Sequence, residues 1–286
     1  MDAGVAGRFG ECLQVSLDYR DQKVTHKIDL LDLVRTIQSE ETTIEVKKSE
    51  YLDFVNGDEA FLVLDGEIVA FEEQDLRTRL SQTITLGKDD PIGFAEAIVS
   101  RAPTLRYVAN TDVKLLKIDA LALRKAVAEA NILAATIIRY IVSRIFKETK
   151  RSKNYLFEDE FIERNRDIFH RAKIASGDRV FSPQNQVPMM YFIRTGTVEI
   201  SASDGIVLGT LKDGECFGEG ALLSDRKRRF TATALSEVEA VVIEKSLVLK
   251  EIKKNSTLVQ LAAVVLLRRL EIMNTFRLEK AREKML

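Results

Sequence analysis

The residues that could do chemistry in this chain lie between positions 214 and 234. Gly214-Glu215-Cys216-Phe217-Gly218-Glu219-Gly220-Ala221-Leu222-Leu223 sets glycines around an aromatic and an acid. A basic run, Arg226-Lys227-Arg228-Arg229, follows before Phe230 and Thr231. Glycine lets backbone N–H groups approach an anion closely because no Cβ intervenes. A short helix starting at Ala221 would aim its first N–H groups at the same point, where the helix dipole favours phosphate. Arg228, arriving from the far side, can fork onto a phosphate through two charge-assisted hydrogen bonds. A carboxylate beside a phosphate is repulsive unless the ligand also carries hydroxyls. Glu219 therefore reads as an acceptor for a ribose hydroxyl.

This stretch resembles the phosphate-binding cassette of the cyclic nucleotide-binding domain family, which runs Phe-Gly-Glu-x-Ala-Leu, a short gap, then arginine and a strand. Phe217, Gly218, Glu219, Ala221, Leu222, Arg228 and Thr231 carry the match. The resemblance implies that Glu219 holds the ribose 2′-hydroxyl, that Arg228 holds the cyclic phosphate, and that the N–H groups of Gly220 and Ala221 complete the cradle. Arg229, Phe230 and Thr231 complete the expected ligand-binding set. The chain departs from the pattern just before the arginine, where Asp225 and Lys227 replace a glycine and a proline. It departs again just after, where Arg229 and Phe230 stand in place of small residues. Cassettes that prefer cGMP carry threonine directly after the arginine, so Arg229 favours cAMP. The surplus positive charge also suits a cyclic dinucleotide. The plain alternatives are a β-turn with a solvated basic tip, or a protein-docking patch.

The totals bound what surrounds this stretch. A chain of 286 residues is long enough for two domains. With 43 basic and 44 acidic side chains the net charge is −1, which argues against binding nucleic acid through bulk electrostatics. Two cysteines, Cys12 and Cys216, and no secretory signal fit a reducing cytoplasm rather than a disulfide framework. Two histidines cannot build a metal site alone, and no metal is expected. The apolar run over residues 258–267 is followed by Arg268 and Arg269, which reads as a core helix and not a membrane span. No nucleophile–base pair or paired acids with supporting spacing suggests an enzyme.

The elements that must position the cassette follow from periodicity. Residues 13–19 alternate like a strand, and residues 28–37 carry apolar side chains at helical spacing. From Thr43 the texture is β: residues 44–47, 61–69 with a glycine turn at Gly66, 83–86 and 113–118 read as strands. Residues 120–149 are helical by period, through Leu121, Val127, Ile132, Ala135, Ile138, Ile141 and Ile145. Residues 151–172 read as charged, solvent-facing helices. The β texture then returns at 178–182, 191–200, 205–211 and 239–244, with Gly196 repeating Gly66 about 130 residues later. The predicted fold is α+β: two tandem jelly-roll-like β-barrels with flanking helices and a long C-terminal helix from Ser256. The division is an N-terminal extension, 1–42, a degenerate domain, 43–150, and a binding domain, 151–286.

The two copies differ where it matters. Pro91-Ile92-Gly93-Phe94-Ala95-Glu96-Ala97-Ile98 falls on the cassette, but Phe94 takes the place of the acid and Pro103 that of the arginine. Charged hydrogen bonds are worth about 1.5–3 kcal/mol each, so losing two should abolish useful affinity. Unless Arg101 or Arg106 substitutes from a neighbouring position, the first copy is a scaffold, partner surface or relay. The C-terminal helix carries an apolar stripe of Leu258, Leu261, Val265, Leu266, Leu270, Met273 and Phe276. The resemblance implies that it covers the bound base and carries a dimer seam or lid. Bacterial regulators with this sensor place a winged helix-turn-helix after that helix, and none follows before Leu286, so DNA is not an expected partner. The order of parts resembles the regulatory subunits of cyclic nucleotide-dependent kinases, although residues 1–45 show no inhibitory substrate-like segment. The expected function is a non-enzymatic cyclic nucleotide sensor acting on a protein partner or a homodimer. A scaffold that binds nothing is the alternative.

Overall fold

Alternation decides which way the central strands face. In Ala60-Phe61-Leu62-Val63, Phe61 and Val63 point to one side and Ala60 and Leu62 to the other, yet all four are buried. Such a strand must be covered on both faces. The computed structural model describes residues 28–39, 42–53, 57–72, 83–146, 162, 169–183, 189–221 and 229–283, and it supplies both covers. β1 (Thr43–Val46), β7 (Val113–Asp119), β2 (Glu59–Asp65) and β5 (Pro91–Ile92) form one antiparallel sheet in that order. β4 (Thr83–Leu86), β3 (Ile68–Glu72) and β6 (Leu105–Ala109) form the sheet that faces it. Phe61, Val63, Ile68, Leu86, Tyr107 and Leu115 fill the space between them.

The second half repeats the plan. β13 (Cys216–Phe217), β10 (Met189–Thr195), β15 (Val238–Glu244) and β8 (His170–Ile174) make one sheet. β12 (Val207–Leu211), β11 (Val198–Ser201), β14 (Thr231–Ala234) and β9 (Arg179–Phe181) make the other. Phe181, Ile193, Val198, Phe217 and Val238 lie between them. The expected barrels are therefore open two-sheet sandwiches. Among the described residues the two sheets of each half share no strand, whereas a closed barrel needs a continuous ladder. The reason is visible at the two repeated glycines. Gly66 (φ 87°) and Gly196 (φ 102°) turn the chain out of one sheet and into the other, so β2–β3 and β10–β11 are crossings, not hairpins. A Cβ at Gly66 would strike the carbonyl of Asp112, and one at Gly196 the carbonyl of Glu237.

Helices fill the layer outside the inner sheet of each half. They are α1 (Leu30–Ile37), α2 (Phe94–Val99), α3 (Ala120–Ala128), α4 (Ile132–Phe146), α5 (Lys245–Lys253) and α6 (Thr257–Glu283). Ala60 and Leu62 from one half join Phe192, Val241 and Ile243 from the other, and the helices between them, in a single apolar core. The helical period over residues 120–149 is realised as two helices. Asn131 breaks it, because its Oδ1 accepts from the Ala134 N–H (3.0 Å) while its Nδ2 donates to the Glu251 carbonyl (2.7 Å). Leu121, expected on the apolar face, is 70% exposed.

α6 is about 40 Å long at 1.5 Å per residue. Leu261, Val265, Leu266, Leu270 and Phe276 of its expected stripe are buried, each worth about 1.5–3 kcal/mol. The helix runs along α1, α3, α4 and β5 of the first half, and touches β12 and the cassette turn of the second. The strand expected over residues 13–19 lies outside the described residues. So do the helices expected over 151–172, apart from buried Ile162 and the segment from Phe169 onward, where β8 begins.

Candidate functional site

The cassette is aimed by an aromatic anchor. In β13, Cys216 pairs with Phe192 and Phe217 with Tyr191 across the ladder to β10. The Phe217 ring turns into the sandwich, stacked on Tyr191 at 5.0 Å and 14°, and lies 5.8 Å from the Phe181 ring. With that ring fixed, Gly218 (φ 85°) takes the left-handed conformation and reverses the chain into a 3₁₀ turn, Glu219–Ala221. The sequence placed a helix start at Ala221; the described turn begins two residues earlier, at Glu219. Leu222 and Arg228 lie outside the described residues.

Glu219 is only 8% exposed. Its Oε1 accepts a hydrogen bond from Nη1 of Arg144, in the last turn of α4, and its Oε2 has no hydrogen-bond partner among the described residues. A buried carboxylate with one oxygen held by a guanidinium and the other open can accept from a hydroxyl. The last carbonyls of α4 are also engaged. Nη2 of Arg277, from α6, donates to the carbonyls of Arg144 (3.2 Å) and Ile145 (2.6 Å), groups a helix cannot satisfy internally. Burial, with Arg144 and Arg269 adding repulsion, brings the Arg277 guanidinium down to about 10, which leaves it charged at neutral pH.

The remaining expected residues lead to α6. Nη1 of Arg229 donates to Thr275 Oγ1 (3.1 Å) and lies 3.8 Å from Glu271 Oε1. Phe230 packs in a small cluster with Ala202, Ile206, Leu278 and Ala281, which joins the β11–β12 turn to the end of α6. Thr231 opens β14, opposite Ser201. Cys216 is buried, and burial together with Glu219 and Glu215 pushes its thiol well above the ordinary range.

The first-half counterpart begins with the same left-handed glycine but continues as the α-helix α2. Gly93 (φ 74°) corresponds to Gly218, and Ile92 is buried in place of Phe217. Phe94, where the acid would stand, is buried in the helical core. Glu96 on α2 is 1% exposed and meets Arg269 of α6, with Nη2 3.9 Å from Oε1. The same Nη2 donates to Tyr107 Oη at 3.1 Å. Arg268 beside it donates to Asp90 at 2.7 Å. The two halves thus exchange arginines: α6 supplies one to Glu96 in the first sandwich, and α4 supplies one to Glu219 in the second. Sequence reasoning missed Arg144, Arg269 and Arg277. The signal available was a guanidinium set within a helix's apolar stripe, which requires a buried acid or carbonyl elsewhere.

Residues 171–255, spanning β8 to the end of α5, match the family model for the cyclic nucleotide-binding domain. The match falls on the second sandwich. Two relatives are the cAMP-dependent protein kinase regulatory subunits of Debaryomyces hansenii and Eremothecium gossypii. The first is 25% identical over 222 residues (73% of this chain and 46% of the relative) and the second 24% identical over 235 (77% and 46%). The chain spans about half the length of the curated relatives it matches. Among solved structures, cAMP-bound PfPKA-R covers 80% of this chain and 86% of its own at 14% identity, with a TM-score of 0.36. Within the matched residues, the structure brings Phe217 to Ala221 together in one turn. Arg229 and Phe230 are the ones that tie it to α6. Among the described residues no helix is long and apolar enough to cross a membrane.

Proposed function

We propose that the chain is a cyclic nucleotide sensor that performs no chemistry on its ligand. It binds one cyclic mononucleotide, cAMP in preference to cGMP, in the second of two tandem domains, 43–150 and 151–286. The observation that carries this reading is Glu219: a buried acid, placed by Phe217 and Gly218 in a cassette, with one carboxylate oxygen held and the other without a hydrogen-bond partner among the described residues. In the proposed complex Oε2 of Glu219 accepts from the ribose 2′-hydroxyl. The Gly220 and Ala221 N–H groups and Arg228 hold the cyclic phosphate.

The signal leaves through helices. Glu219 touches α4 through Arg144, and the strand that leaves the cassette touches α6 through Arg229 and Phe230, so a ligand at this point bears on both. It shifts their arrangement only by its difference in affinity for the two arrangements. The output is a changed surface for a protein partner, such as a kinase catalytic subunit, in keeping with the regulatory-subunit relatives.

Thermal melting with saturating nucleotide tests the reading. A ligand at a hundred times its Kd adds about 2.7 kcal/mol. cAMP is expected to raise the melting temperature more than cGMP at equal concentration. A larger rise with a cyclic dinucleotide would replace the mononucleotide assignment, and no rise with any of the three would favour a non-binding scaffold.

A further inference from the structure

We infer that Arg144, which belongs to helix α4 and thus to the first half of the chain, is a positioning residue of the nucleotide site in the second half. It holds Glu219 through Oε1 and leaves Oε2 as the acceptor for a ribose hydroxyl. This inference rests on the reading of Glu219 given above. Three observations support it. The pair is largely buried, with side chains 19% and 10% exposed, so water competes little for either charge. Oε2 of Glu219 is buried without a partner among the described residues, which leaves one acceptor for a ligand. Arg144 is itself held, because Arg277 of α6 bonds its carbonyl and that of Ile145.

The opposite role, an internal competitor that the ligand must expel, is disfavoured by the same facts. The ligand needs one oxygen, and Oε2 already lacks a partner among the described residues. Expelling Arg144 would break a buried ion pair and leave two uncompensated charges. As a positioning residue, Arg144 makes the site bipartite: a carboxylate from one sandwich is oriented by a guanidinium from the helices of the other. Ribose recognition in the second half then depends on where α4 stands.

Calorimetric titration of the full chain with cAMP and with 2′-deoxy-cAMP tests this, using wild type, Arg144→Met and Arg144→Lys. Arg144→Met should weaken cAMP about tenfold or more, the scale of one charge-assisted hydrogen bond, and change 2′-deoxy-cAMP by no more than about twofold. Arg144→Lys, which keeps the charge but not the planar fork, should fall between for cAMP and should carry the test if the methionine variant does not fold. Equal losses for both nucleotides, or tighter cAMP binding by Arg144→Met, would overturn the inference. Wild type that binds neither nucleotide would defeat the reading of the site itself. Wild type that binds both, with an unselective loss in the variants, would defeat only the role of Arg144.

Discussion

Replacing Arg269 by methionine should unlock α6 from the first sandwich at a cost set by burial. Arg269 is 2% exposed and Glu96 1%, with Nη2 3.9 Å from Oε1 and 3.1 Å from Tyr107 Oη. Removing the guanidinium leaves a buried carboxylate without its counter-charge, a change that costs about 3–5 kcal/mol. At about 2–4 °C per kcal/mol for a chain approaching this size, the melting temperature should fall by roughly 6–20 °C. Glu96→Met should cost a similar amount, since it strands the guanidinium instead. The double variant should recover most of the loss, because two apolar side chains of similar volume replace the pair. Urea unfolding of the four proteins measures the coupling. Additive losses, or single variants each within about 1 kcal/mol of wild type, would refute the claim that this pair joins α6 to the first sandwich.

The other perturbations are narrower. Phe217→Ala removes the ring stacked on Tyr191 and should cost about 3–5 kcal/mol in urea unfolding while weakening nucleotide binding, because the turn that presents Glu219 loses its anchor. Gly196→Ala should destabilise more than Gly177→Ala. Both glycines have φ near +90–100°, but a Cβ at Gly196 meets the Glu237 carbonyl and Val238, whereas one at Gly177 meets nothing within 4 Å. The Cys216 thiol, raised by burial and then by Glu219 and Glu215, ties stability to pH. The unfolded thiol ionises at about 8.5, so as pH rises through that value the unfolded state loses its proton first and folding is progressively disfavoured. The unfolding free energy of wild type should therefore fall relative to Cys216→Ala between pH 7.5 and 9.5, and a constant difference would contradict the burial of that thiol.

Much of this was legible from local chemistry. Gly66 and Gly196 marked the repeat because a left-handed turn under a neighbouring carbonyl admits no side chain. In Phe217-Gly218-Glu219 the sequence showed a glycine beside an acid, but not that Phe217 anchors the turn on Tyr191 or that Gly218 reverses the chain. The stripe on α6 held through Leu261, Val265, Leu270 and Phe276. What the sequence left out were long-range partners. Periodicity continues across residues 129–131, but Asn131 bonds Glu251 far along the chain and ends one helix there. The glycine turns read equally well as hairpins, because only the sheet partners of β2 and β3 reveal a crossing. The apolar stripes around Arg144 and Arg269 call for buried partners, but only the fold shows that these are Glu219 and Glu96. Resemblance assigned α6 to the bound base, and nothing in the sequence showed that it also packs on α1, α3 and α4.

The measurement closest to the central claim is isothermal titration of the whole chain with cAMP, run beside Glu219→Ala and Arg228→Glu. Saturation at one nucleotide per chain in the wild type, lost in both variants, is the predicted result. Two nucleotides per chain would make the first sandwich a second site. No heat and no change in melting temperature would contradict the sensor reading outright.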